Sequence, residues 1–216
     1  MRWAVFDVDG TLLPSTSMEK MFIRHALKSG LFPTLNIVRY GLRAGRLLLA
    51  GKVFEAFKRN KRFLKGLEAG KIEAEAAAFF NREIADKFSS EGIARVEKHR
   101  QEGCKILIMT GSTYFLANRL DRIYHPDHLI PLNLEIHQQR YTGEIDGLHP
   151  YGEFKKQLLL AQQDALDIDF ENSYVYANDD SDAAHMALFG HPVGINPSPK
   201  LEEICEERSW EVERWP

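Results

Sequence analysis

Two strand-length apolar runs, Arg2–Phe6 and Lys105–Met109, are separated by a stretch that reads as helix almost throughout residues 17–88 and again beyond it. That separation constrains the fold more than any other feature. Lys105-Ile106-Leu107-Ile108-Met109 shows no polar alternation, so it suits a strand covered on both faces, as in a parallel sheet. The intervening helices break near Gly30–Pro33, Gly51 and Gly66–Gly70, and the Ala-rich run Ile72–Phe80 favours helix strongly. A helix over 91–102 stops at Gly103. Further on, the sequence predicts a helix at 113–123, a hairpin over Asn133–Ile145 turning at Gln138–Arg140, and a helix over Phe154–Leu166. A strand at Tyr174–Ala177, a helix to about Leu188, a strand at Pro192–Ile195 and a helix at Pro199–Arg208 complete the chain. Strands alternate with helices at both ends, with an all-helical insert after the first strand. This predicts an α/β fold: a parallel-sheet core from residues 1–14 and 89–216, and a helical cap over 15–88.

Charge follows the same division. Residues 20–66 hold 12 Lys/Arg and one acid, Glu55, a local charge of +11 within a chain of 216 residues whose net charge is −3. The small net charge implies no field for nucleic acid, but the cationic block suggests a unit that meets an anionic substrate or membrane. Its most apolar part, Leu31–Ala50, contains three arginines and is a poor transmembrane span. Arg39, Arg43 and Arg46 lie on one helical face, and Leu35, Val38, Leu42 and Leu49 on another. Either the apolar stripe packs on sister helices while the arginines are solvated, or the helix lies against anionic lipid. The two cysteines, Cys104 and Cys205, form no CxxC or Cys/His cluster. A zinc module is unsupported, and a reducing, cytoplasmic setting is expected. The N-terminus has no long apolar segment of the signal-peptide type.

Polar residues gather just after the predicted strands: Asp7 and Asp9, then Thr110 and Ser112, then Asn178–Asp182. In a parallel sheet those strand ends open onto one crevice, where ligands bind. Two acids two residues apart suit a metal together with a nucleophile or an acid–base pair. They also suit a turn cap, and Gly10-Thr11 fits a turn. His125, His128, His137, His149, His185 and His191 show no metal spacing with acids and read as surface or loop residues.

Phe6-Asp7-Val8-Asp9-Gly10-Thr11-Leu12 resembles the DxDGTL signature of the haloacid dehalogenase superfamily of phosphohydrolases. Ile106–Ser112 resembles its second motif, Tyr151-Gly152-Glu153-Phe154-Lys155 its third, and Asn178–Asp182 its fourth. The tail Gly190–Pro197, with Leu201 and Trp210 beyond, is similar to the phosphoserine-phosphatase-like branch, subfamily IB, whose cap type the helical insert matches. The resemblance implies a Rossmann-like core and a magnesium-dependent phosphatase acting on a small-molecule or phospholipid phosphate. It implies that Asp7 is the nucleophile, Asp9 the acid–base and Lys155 the group that offsets charge on Asp7 and the phosphoryl group. It places Thr11, Ser17, Thr110, Gly111 and Lys155 at the substrate, and Mg2+ among Asp7, Asp9 through its backbone carbonyl, and the fourth motif. A divalent cation and a lysine are needed there because an anionic carboxylate is repelled by an anionic phosphate.

The fourth motif departs from the family pattern of two Asp separated by three residues. Counting back four from Asp182 reaches Asn178. Its amide oxygen still offers a ligand with one charge fewer, and Asp179 is an alternative ligand through a shifted loop. Asp179, Asp180 and Ser181 read also as helix caps, and Lys155 as a solvated first-turn lysine. Phosphoserine phosphatases carry a Glu shortly after the first motif that holds the substrate amine. Here Ser15, Thr16 and Ser17 occupy the nearest positions and Glu19 is displaced, which speaks against phosphoserine. Ser17 reads either as a contact on the cap side or as the N-cap of the first cap helix. The same residues would also serve a phosphotransferase, or a non-catalytic module binding phosphate or anionic lipid, with peripheral membrane contact through the cationic cap.

Overall fold

The computed structural model describes residues 1–14 and 16–216; Ser15, one of the hydroxyls near the first motif, lies outside the described residues. The first strand, β1 (Trp3–Phe6), is buried along its whole length. The cap helices follow as α1 (Met18–Lys28), α2 (Thr34–Leu49) and α3 (Ala69–Glu83), then α4 (Ser90–Gln101). After them come β2 (Lys105–Thr113), the short α5 (Tyr114–Ala117) and α6 (Asp121–Tyr124), β3 (His128–His137) and β4 (Arg140–Asp146). The chain ends with α7 (Glu153–Leu166), β5 (Tyr174–Ala177), α8 (Ala183–Met186), β6 (His191–Ile195), α9 (Pro199–Arg208) and β7 (Glu211–Glu213).

One seven-stranded sheet runs in the order β4-β3-β2-β1-β5-β6-β7. Neighbours are parallel except for the β3–β4 hairpin, whose turn residues Gln138 and Gln139 both take positive φ. From β1 the chain builds outward to β2 and β3, then returns to the other side of β1 with β5. Phe6 pairs with Ile108 on one side and with Tyr176 on the other. The C-terminal ends of β1, β2 and β5 therefore open side by side where the strand order reverses, the usual ligand position in such sheets.

The sheet's alternation divides the core. Trp3 and Val5 face a cluster with Leu159 of α7 and Leu201 of α9, whereas Ala4 and Phe6 face a cluster shared with the cap. Phe22 of α1 packs 5.5 Å from Phe79 of α3 and 5.4 Å from Phe115 of α5, so α1 and α3 are seated directly on the core.

Several expectations need correction. β2 continues through Thr110–Ser112 to Thr113 instead of ending at Met109: its pairing with β3 is irregular after Met109 and resumes at Thr113, and Thr110 and Ser112 are buried. β3 begins at His128 and joins the sheet beside β2 before it enters the hairpin. α3 starts at Ala69, so Gly70 lies in its first turn. The outer strand β7 was not legible. The apolar stripe of α2 does not pack on sister helices: Leu35, Val38, Leu42 and Leu49 are 57%, 50%, 62% and 92% exposed. The inward side of α2 is instead anchored by Asn36, whose Nδ2 donates to the carbonyls of Phe63 and Lys65, and by Tyr40, whose ring meets Phe63 edge-on. Nor are all three arginines free in solvent, since Arg43 pairs with Glu144 of β4. Among the described residues, no helix is long and apolar enough to cross a membrane. Cys104 and Cys205 are free and buried.

Candidate active site

Asp7 leaves the end of β1 and is almost wholly buried. Its Oδ1 accepts a 2.6 Å hydrogen bond from Lys155 Nζ, which also lies 2.7 Å from Asp182 Oδ1. Lys155 sits in the first turn of α7, where the helix dipole disfavours a cation, yet it is buried. Its position is stabilised by the two carboxylates, not by the helix. Burial alone would lower its pKa, but Asp182 and Asp7 outweigh that and hold it above the ordinary lysine range. The neighbouring Lys156 stands outside the cluster, near Glu153. The solvated-lysine reading therefore belongs to Lys156.

Burial pushes Asp7 up to about 6, with Lys155 opposing and Asp182 reinforcing the rise. Asp182, buried beside the same lysine, is raised as well. The hydroxyl of Thr11 lies 3.3 Å from both Asp7 Oδ2 and Asn178 Oδ1 and can donate to one at a time. The turn that carries it needs glycine. Gly10 has φ +94°, and a Cβ there would lie 2.2 Å from the Asn178 amide nitrogen.

Asp9 is held apart from this cluster. Its Oδ1 accepts from the Met18 backbone N–H at 3.0 Å, and its Oδ2 accepts from Ser17 at 3.0 Å and Ser112 at 3.1 Å. Ser17 occupies the N-cap position of α1, but its hydroxyl serves Asp9 and makes no capping bond. The start of the cap thus fixes the second acid. Burial raises Asp9 to about 6 against the pull of the Met18 N–H, with the charge on Asp7 adding to the rise. Thr110 is fully buried and its Oγ1 accepts from the Ser112 N–H, which leaves its own proton free to donate. A Cβ at Gly111 would lie 2.9 Å from His149 Cε1, so glycine is required at this crossing.

The fourth motif is divided in its use. Asp182 enters the cluster, and Asn178 meets Thr11. Asp179 turns Oδ1 to the N–H and hydroxyl of Ser181, which is the capping alternative, and Asp180 pairs with Lys200. With Asn178 in the chain, no three His, Cys, Asp or Glu side chains among the described residues are spaced to hold a metal by themselves. The donor set nevertheless fits magnesium. Asp7 and Asp182 converge on one ammonium and Asp9 lines the same cleft, so negative charge is in excess, and the donors are oxygens.

Asp7, Asp9, Ser17, Gly111, Lys155, Asn178, Asp179 and Asp182 line a cleft of about 790 Å³ whose other wall belongs to the cap, including Glu19, Phe57 and Lys58; Thr11 and Thr110 are buried and lie outside its lining. Three features of that wall escaped the sequence. Glu19 is paired at 2.6 Å with the buried Lys61. Phe54 packs on Tyr151 and on His149, and Lys58 lies over the Tyr151 ring. His149 is buried, and burial together with Lys61 and Lys58 lowers it to about 3. His149 and His185 are thus not surface residues. His185 is buried beside Asp182, and burial keeps it neutral. Tyr151, the first residue of the third motif, was the one available signal for this aromatic seam.

Comparison with known proteins agrees with this geometry. The chain is 24% identical to phosphoserine phosphatase SerB1 of Mycobacterium tuberculosis over 97% of its own length and 69% of the relative's. A protein of unknown function from Bordetella pertussis Tohama I superposes with a TM-score of 0.83 at 23% identity, covering 98% of this chain and 97% of that one. A phosphoserine phosphatase solved as a phospho-aspartyl intermediate analogue superposes with a TM-score of 0.62 at 15% identity, covering 98% and 91%. The profile of the haloacid dehalogenase-like hydrolases matches residues 4–187, and the chain belongs to that family.

Proposed function

We propose that this hydrolase cleaves a phosphate monoester through a covalent phosphoryl group on Asp7. The observation that carries the reading is the buried Asp7–Lys155–Asp182 cluster with Asp9 held separately above it. The Asp7 carboxylate attacks phosphorus, and the bond from phosphorus to the ester oxygen breaks. Asp9, with its pKa near 6, gives its proton to the leaving alkoxide. The Asp9 carboxylate then takes a proton from water as that water attacks phosphorus. The phosphorus–Asp7 bond breaks, inorganic phosphate leaves, and both acids return to their starting states. Lys155 holds the nucleophile and neutralises charge, while Thr110 donates to a phosphoryl oxygen. Asp7, Asn178, Asp182 and the Asp9 carbonyl would hold magnesium, which when bound supplies further neutralising charge.

On the cap side, the pocket's carboxylate is already engaged: Glu19 is bound to Lys61. This favours an ester whose alcohol carries no ammonium, on a small molecule or a lipid. The test is turnover of p-nitrophenyl phosphate with and without magnesium, followed by a panel of phosphoserine, small alcohol phosphates and phospholipid phosphates. Magnesium-dependent turnover that Asp7→Asn abolishes, with phosphoserine among the poorer substrates, is expected. Full activity in Asp7→Asn would remove the assignment.

A further inference from the structure

The cap leaves an apolar surface uncovered. Of the sixteen large apolar side chains exposed among the described residues, nine lie between Leu27 and Phe57. On α2, four of them form one face. Leu35, Val38, Leu42 and Leu49 recur at helical spacing over a helix about 24 Å long. Gly41 and Gly45 adjoin them, and a Cβ at either would meet nothing within 4 Å. Arg39 and Arg46 flank the stripe and are exposed, as is Lys52 just beyond the helix. The opposite side of α2 is the one tied down through Asn36.

We propose that this face docks on an anionic lipid surface, with the leucines at acyl depth and the arginines among the headgroups. Charge complementarity selects that occupant. A second copy of the chain would set the exposed Arg39 and Arg46 of the two chains against each other, whereas an anionic bilayer answers both the apolar and the cationic parts. The helix lies on the bilayer and does not cross it, in keeping with its arginines and its length. Phe57 is both exposed and part of the cleft wall, and the turn Glu55–Arg59 that carries it packs against α2. Docking does not depend on the chemistry proposed above.

The test is co-sedimentation of the full chain with vesicles of phosphatidylcholine alone and of equimolar phosphatidylcholine and phosphatidylglycerol. Binding to the anionic vesicles is expected to exceed binding to the neutral ones by at least about tenfold and to weaken with salt. The triple variant Leu35→Ser/Leu42→Ser/Leu49→Ser and the double variant Arg39→Gln/Arg46→Gln should each lose most of it. Both should keep the wild-type p-nitrophenyl phosphate turnover, and the triple variant the wild-type Tm, since its leucines support neither the core nor the cleft; Arg39 also donates to Asn36 Oδ1, so the double variant is read by its vesicle binding and turnover. Equal sedimentation with both vesicles, or wild-type binding by the triple variant, would overturn the proposal. So would a dimer that the leucine substitutions dissolve in a chain that ignores lipid. Turnover of the soluble ester is read separately, so a failure of docking is distinguishable from a failure of the hydrolytic reading.

Discussion

Lys155 and Arg46 carry the same charge in opposite surroundings. Lys155 is 3% exposed and held between two carboxylates from different parts of the chain; Arg46 stands in solvent beside a row of exposed leucines. Removing a charge from water is costly unless partners are in place, so a buried lysine with buried carboxylates marks a site where something other than stability sets the arrangement. A solvated arginine costs almost nothing and by itself says little. On α2 the costly feature is the apolar one: exposed leucines at regular spacing. Charge is informative in the cleft, exposure of apolar surface is informative on the cap, and each region is read by the feature that works against its stability.

The contrast is easiest to break at the lysines. Lys155→Met should lower turnover by about 10²–10³, while Lys156→Met, one residue away and on the surface, should stay within about twofold. Similar losses in both, measured as kcat/KM for p-nitrophenyl phosphate, would mean that burial beside Asp7 has no special role.

A smaller effect is expected at the fourth motif. Asn178→Asp restores the charge that the amide lacks, so the magnesium concentration for half-maximal turnover should fall by about three- to tenfold. No change in a magnesium titration would place the ion away from Asn178.

The smallest effect is on stability. Asp7 and Asp9 keep their protons up to about pH 6 in the fold, against 3.8 for free carboxyls. Between those values the folded chain binds more protons than the unfolded chain, so these two groups stabilise it fully below 3.8, and that contribution is lost as pH rises through 6. Added magnesium meets ionised carboxylates at about pH 7.5 but must displace protons at about pH 5. It should therefore raise Tm by about 5 °C at the higher pH and by much less at the lower one. An equal rise at both would contradict the assignment of the ion to these acids.

Much of this was legible in the residues. β1, β5 and the start of β2 are apolar runs that end at Asp, Asn or Thr, so both the sheet and the residues at its mouth could be placed. α9 runs Pro199–Arg208 as its Ser-Pro start and apolar spacing predict, with Ser198 accepting from the Leu201 N–H. β7 was not legible, because Glu-Val-Glu has no run or period long enough to register. The burial of His149 and His185 was equally hidden, since one histidine in a loop or a short helix has no pattern. The Glu19–Lys61 pair joins residues 42 apart through tertiary packing that the sequence does not encode locally. The spacing on α2 identified its stripe correctly but not what faces it. That depends on Asn36 finding two backbone carbonyls on the turn at Phe63–Lys65.

The central claim is that phosphorus becomes bonded to Asp7. It is tested most directly by mixing the magnesium-loaded enzyme with substrate, quenching in acid, reducing with borohydride and mapping the product by mass spectrometry. An aspartyl phosphate is converted to homoserine, so the account predicts homoserine at position 7 in the wild type and none in Asp7→Asn. Rapid turnover with aspartate unmodified at position 7, or homoserine at another carboxylate, would contradict it.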